Sequence, residues 1–159
     1  MASFPRREPG ASRSLDDLAL VERTALLARA ERDEQAAHDA RERYRTTPMQ
    51  SIPVDAELAA HLEPGEQLLA TRSTSLLDCV PSDPLDCPPS SGPMHLTDRR
   101  LLQIGPGRTT IELSLIEELS LAGERLLLSL GDGRGFVIEL PRPRLFRVEV
   151  ATALRAARS

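Results

Sequence analysis

Between Gln67 and Leu140 the chain is cut into short runs in which apolar residues recur at every second position, the period of a β-strand. Leu102 and Ile104 share one face, as do Ile111 and Leu113, Leu119 and Leu121, the trio Leu126, Leu128 and Leu130, and the trio Phe136, Ile138 and Leu140. The links between these runs carry turn chemistry: Thr97-Asp98, Gly105-Pro106-Gly107, Gly123-Glu124 and Gly131-Asp132-Gly133-Arg134-Gly135. About seven strands joined by tight hairpins make an antiparallel meander, which must close or fold on itself to hide its edges.

Helical periodicity brackets this region. Phe146, Val150, Ala153, Leu154 and Ala157 fall on one face of a C-terminal helix starting near Pro143, and an open barrel end offers the apolar surface that such a face needs. At the other end, residues 1–13 are rich in Pro, Arg and Ser and read as a disordered tail. Ser14 then stands three residues before Asp17, and Leu15, Leu18, Val21, Ala25 and Ala28 recur at three- and four-residue steps, so a helix begins at about Leu15. Its second half offers only Ala36, Ala37, Ala40 and Tyr44 as apolar contacts. The leucine-bearing first half is therefore expected to be the part that packs, with the rest a solvated arm or one strand of a weak coiled coil. The arm spans 14–48, and a linker over 49–61 contains a short helix, "DAELAAHL", with Asp55 as its N-cap.

The core must be aliphatic: there is no Trp, one Tyr and three Phe, against 26 leucines. The net charge of −4 is unevenly spread, at 0 over residues 1–48, −7 over 49–98 and +3 over 99–159. All 20 basic residues are Arg. No apolar run approaches the ~18 residues of a membrane span, which points to the cytoplasm and to reduced thiols at Cys79 and Cys87.

Several short stretches resemble the GRAM domain and the bacterial PH-like domain. They are Leu62-Glu63-Pro64-Gly65-Glu66 before the first strand, Gly92-Pro93-Met94-His95-Leu96-Thr97 leading into a hairpin, Arg100-Leu101-Leu102 leaving it, and Ile111-Glu112-Leu113-Ser114-Leu115-Ile116. The resemblance covers about residues 62–157. It implies an α+β, mainly β fold, a partly open seven-stranded antiparallel barrel capped by the C-terminal helix, with the N-terminal helical arm added. It also implies a binding or scaffolding role without catalysis or cofactor.

PH domains that grip phosphoinositides use basic residues around the loop between their first two strands, which here would run from about Asp78 to Pro93. That loop holds Asp78, Asp83 and Asp86 and no basic residue, and carboxylates repel a phosphorylated headgroup. A protein or peptide partner docking there is accordingly the first expectation. The alternative is a peripheral membrane protein at the inner face of the membrane. Arg99, Arg100 and Arg108 would be its anionic-ligand contacts, joined by Arg142, Arg144 and Arg147 in one basic face. As parts of a tight "LTDRR" turn, Arg99 and Arg100 read instead as exposed hairpin-edge charges, with Asp98 hydrogen-bonding its own turn.

Other chemistries find no frame. Cys79, Cys87 and His95 are eight residues apart, whereas structural zinc ligands pair at two-to-four-residue gaps. The histidines lie in three separate segments with no nucleophile motif around them, and "GPGRTT" and "GDGRG" fit hairpin turns rather than a phosphate loop. Nucleic-acid binding lacks both a basic balance and interleaved aromatics.

Overall fold

The computed structural model describes residues 10–80 and 88–159, with side chains from Ser14 onward. The chain divides into two compact units, Met1–Arg32 and Asp33–Ser159. Helix α1, Gly10–Tyr44, supplies the described part of the first unit and opens the second. It takes in the last four residues of the segment expected to be disordered. Nothing in Ala11-Ser12-Arg13 forbids a helix, and extending one that is already nucleated adds a hydrogen bond per residue. The remainder of the expected tail lies outside the described residues.

Helix α2, Ala56–Ala59, is capped by Asp55 as expected, its carboxylate accepting from Leu58 N at 2.7 Å. Nine strands follow among the described residues: β1 Leu68–Arg72, β2 Leu76–Val80, β3 Ser90–Ser91, β4 Met94–Thr97, β5 Arg100–Ile104, β6 Arg108–Glu112, β7 Ile116–Ala122, β8 Arg125–Leu130 and β9 Gly135–Glu139. A 3-10 turn, Leu113–Leu115, joins β6 to β7, and α3, Pro143–Ala157, ends the chain. The strands form two antiparallel sheets, β1-β4-β5-β6 and β3-β2-β9-β8-β7.

The excess over seven strands has a simple origin. Two strands are divided at one corner: the first breaks across residues 73–75, so that β1 pairs with β4 in one sheet and β2 with β9 in the other, and the next breaks at Gly92-Pro93, so that β3 pairs with β2 and β4 with β1. A buried polar node holds this corner. Gln103 Nε2 donates to Ser75 Oγ at 2.7 Å, Ser90 Oγ donates to Gln103 Oε1, and Ser75 Oγ donates to Gly92 O at 2.6 Å. Gly92 is obligatory here: at φ +149° a Cβ would stand 2.2 Å from Ile104 O. β6 and β7 are each paired on one side only, so the barrel stays open between them.

Leu126, Leu128, Leu130, Phe136, Ile138, Ile111 and Leu113 all point into the main core, together with Phe146, Val150, Ala153 and Leu154 of α3. Leu102 and Ile104 depart from the expected inward set. They belong to a separate cluster with Leu58, Leu68, Ile52 and Leu62, so the linker covers the outer side of β5 while Leu101 fills the barrel.

The expectation for α1 is reversed. Leu15, Leu18, Leu20, Val21, Leu26 and Leu27 are exposed, whereas Ala37 and Ala40 are fully buried and pack with Val148 of α3. Small side chains let two helix backbones approach closely. A single carboxylate then locks the pair: Asp33, 4% exposed, accepts from Arg144 N at 2.8 Å and Leu145 N at 3.1 Å. It caps α3 from another helix, because the residue at the cap position, Arg142, sits at φ 57° and offers no capping side chain. A second tie joins β1 to α3. Arg72 donates to Glu149 at 2.8 Å and lies 4.9 Å from the Phe146 ring centre; burial raises the Glu149 carboxyl above its ordinary range against the pull of Arg72.

Two truncations test this division of α1. A chain starting at Asp33 is expected to unfold at the midpoint of the full chain in urea, whereas one starting at Met49 loses the cap and the cover over Val148 and unfolds earlier. Asp33→Ala in the full chain should lower stability by about 1–2 kcal/mol.

Candidate functional site

The Thr97-Asp98-Arg99-Arg100 turn is a structural node. Arg100 is 5% exposed, not a hairpin-edge charge. Its Nε and Nη2 donate to the two oxygens of Glu66 at 2.8 and 2.9 Å, and Nη2 also donates to His61 O at 3.0 Å. Thr97 Oγ1 donates to Glu66 at 2.7 Å and accepts from the Arg99 and Arg100 backbone N–H groups. Burial pushes the Glu66 carboxyl up, but the Arg100, Glu63 N–H and Thr97 hydrogen bonds outweigh it and hold the group at about 2. Asp98 does not close its own turn; it accepts from Gln67 N at 2.9 Å, fastening the hairpin to the start of β1. Arg99 is exposed and donates to Glu63 at 3.0 Å.

The expected basic face is not assembled among the described residues. Arg100 pairs across the sheet with Glu112, and Arg108 with Ile104, so the two arginines stand at opposite ends of the β5–β6 hairpin. Arg144 is spent on Glu124 at 2.8 Å and on Glu34 and Asp33. Arg147 is half-buried. Arg108 does line a cavity of about 880 Å³ at the loop end of the barrel, with Arg134 and Phe136, but Arg134 is held by Asp132 at 2.8 Å.

Of the three candidate loop carboxylates, Asp83 and Asp86 lie outside the described residues. So does Cys87. Asp78 belongs to β2 rather than to a loop. Cys79 is disulfide-bonded, which corrects the expectation of a reduced thiol there.

The cross-strand register defines what surrounds Asp78. Residues directly opposite one another share a face. Asp78 is therefore in one row with Val137, Leu127 and Ser120, and the neighbouring row holds Leu76, Glu139, Arg125 and Ala122. Leu77, Ile138, Leu126 and Leu128, one position on, face the core. The outer face of the five-stranded sheet thus carries an apolar patch. Leu76 is 54% and Val80 49% exposed, and Leu127 and Val137 are partly exposed beside them. Asp78 stands exposed among these four side chains, with no ion-pair partner among the described residues. Along the Leu76 row the surface deepens into a groove of about 1120 Å³, bounded by Thr74, Gly92, Gly123 and Leu140-Pro141. No group of three or more metal-ligating side chains is placed to hold an ion among the described residues, and none of their helices is long and apolar enough to cross a membrane.

No family model and no curated protein matches this chain. Solved structures do. The N-terminal PH domain of Vps36 superposes with a TM-score of 0.50 at 19% identity, over 60% of this chain and 83% of that one. The fold is PH-like. The C-terminal domain of an unknown protein from Leishmania infantum matches at a TM-score of 0.43 and 15% identity, over 57% of this chain and 87% of that one. A structure of the Vav1 exchange factor, solved with its PH and C1 domains, matches at 0.39 and 13%, over 84% of this chain and 35% of that one. The PH-like likeness fixes the architecture; function rests on the sites that it carries.

The two arginines of the turn should separate cleanly in urea unfolding. Arg100→Ala leaves Glu66 buried and unpaired and is expected to lower stability by about 3–5 kcal/mol. Arg99→Ala removes only an exposed pair and should stay within about 0.5 kcal/mol. Ionised Glu66 also imposes a pH dependence. Because its pKa is depressed in the folded chain, its contribution is complete above 4.5 and is lost as pH falls through about 2. In Glu66→Gln the drop in stability between those values should be visibly shallower than in the wild type.

Proposed function

We propose that the Asp33–Ser159 unit is a non-catalytic binding module of the GRAM or bacterial PH-like kind, and that it recognises a protein partner through the outer face of its five-stranded sheet. The observation that carries this reading is Asp78, an exposed carboxylate with no ion-pair partner among the described residues, set among Leu76, Val80, Leu127 and Val137. Apolar side chains of a partner would bury Leu76 and Val80, and a partner Arg or Lys would pair with Asp78. By sequence, Asp83 and Asp86 follow shortly after and strengthen the preference for a basic segment.

The membrane reading has less support. It needs several arginines converging on one anionic headgroup, and here Arg100 is buried while Arg99 and Arg144 are matched by carboxylates. Peptides mixing Leu/Val with Arg, titrated onto the full chain and followed by fluorescence polarisation and amide chemical shifts, are expected to bind and to perturb Leu76, Asp78, Val80 and Val137. Affinity should fall in Leu76→Asp, fall in Asp78→Asn and weaken with salt. Absence of peptide binding together with co-sedimentation of the chain on phosphatidylglycerol vesicles would overturn the proposal in favour of the lipid reading.

A further inference from the structure

The described part of the first unit is a single helical segment, and from Leu15 to Leu27 it exposes six large aliphatic side chains. Leu15, Leu18, Leu20, Val21, Leu26 and Leu27 are each between 57% and 70% exposed. They do not form one stripe. Leu15, Leu18, Val21 and Leu26 follow three- to five-residue steps along a broad face, and Leu20 and Leu27, seven residues apart, stack on the opposite side. A helix apolar on more than one side is built to be enclosed by other helices.

Charge along the same segment is polarised. Its first half carries Asp16, Asp17 and Glu22; its second half carries Arg23, Arg29 and Arg32 with only Glu31 against them. A parallel pair of these segments sets like charge beside like, whereas an antiparallel pair sets the acidic half of each against the basic half of the other. A membrane surface is a poor occupant. Helices that lie on lipid separate a basic polar face from an apolar one, and here three carboxylates sit among the leucines.

We infer that residues 15–32 of α1 associate antiparallel with the same segment of a second copy of this chain, through the Leu15, Leu18, Val21 and Leu26 face. The opposite pair, Leu20 and Leu27, allows two such pairs to close into a four-helix assembly. This face shares no residue with the sheet face that carries Asp78, so self-association and partner binding are read by different variants in the test.

Sedimentation equilibrium of the full chain, from about 1 to 200 μM, measures the state directly. The wild type is expected to reach the mass of a dimer or tetramer, and Leu18→Glu/Leu26→Glu to remain monomeric with unchanged helical circular dichroism. Two charge variants read the orientation. Asp16→Arg/Asp17→Arg and Arg29→Glu/Arg32→Glu should each associate more weakly alone than the wild type, and an equimolar mixture should recover association, because each then meets the opposite charge. A wild type that is monomeric throughout the range, or leucine variants of unchanged mass, overturns self-association. Charge variants that associate as well as the wild type overturn the antiparallel arrangement.

Discussion

The Arg100–Glu66 pair is the contact on which the order of this barrel rests. Both side chains are buried, and removing two charges from water is repaid only by short, well-aligned hydrogen bonds that fill every remaining donor and acceptor. The surroundings go far toward that demand: Thr97, the Glu63 N–H and the His61 carbonyl add their hydrogen bonds, and no buried side-chain nitrogen or oxygen among the described residues is left without a partner. The partners come from distant points in the chain, so the turn before β1, the end of α2 and the β4–β5 hairpin are fixed relative to one another. A lysine at position 100 would supply the charge but not the fork that meets both Glu66 oxygens.

This fixing decides which surfaces are covered and which stay exposed. With residues 61–66 pinned to the hairpin, the Ile52–Leu62 linker lies over the outer side of β5, and Leu58, Leu102 and Leu68 close a second small core. The four-stranded sheet is therefore apolar on both sides at β5. Among the described residues, the five-stranded sheet receives no such cover over β2, β9 and β8, and its outer residues Leu76 and Val80 are exposed. The asymmetry between the two sheets, rather than any catalytic constellation, marks the candidate site.

What the sequence made legible follows from how local each signal is. Alternation over Leu126–Leu130 and Phe136–Ile138 predicted the inner face, since a strand's own period reports one covered side. The same alternation could not show that β5 is covered on both sides, because the second cover comes from a linker some 40 residues away. Polarity misled at two places for a related reason. Arg100 read as an exposed charge because its carboxylate partner lies 34 residues earlier. The alanine half of α1 read as solvated because side-chain size, not hydrophobicity, is what admits a close helix contact. Asp78 was visible as a candidate carboxylate; its placement on a sheet face beside Leu76 and Val80 came only from the pairing of β2 with β9, which local periodicity does not encode.

The charge segregation along the chain resolves in the same way. The middle segment at −7 and the last third at +3 suggest an acidic loop facing a basic surface, yet folding brings the two together. Glu66 takes Arg100, Glu63 takes Arg99 and Glu149 takes Arg72 across the two segments, while Glu139 takes Arg125 and Asp132 takes Arg134 within the last third. Arg144 gathers Glu124 with Asp33 and Glu34. Linear charge blocks thus describe internal partners more than external ones. Among the described residues, Asp78 is one of the carboxylates on the outer face of the five-stranded sheet that this pairing leaves over, and its setting beside Leu76, Val80, Leu127 and Val137 suits a cation that arrives attached to apolar side chains, which is why the proposed recognition of a basic segment centres on it.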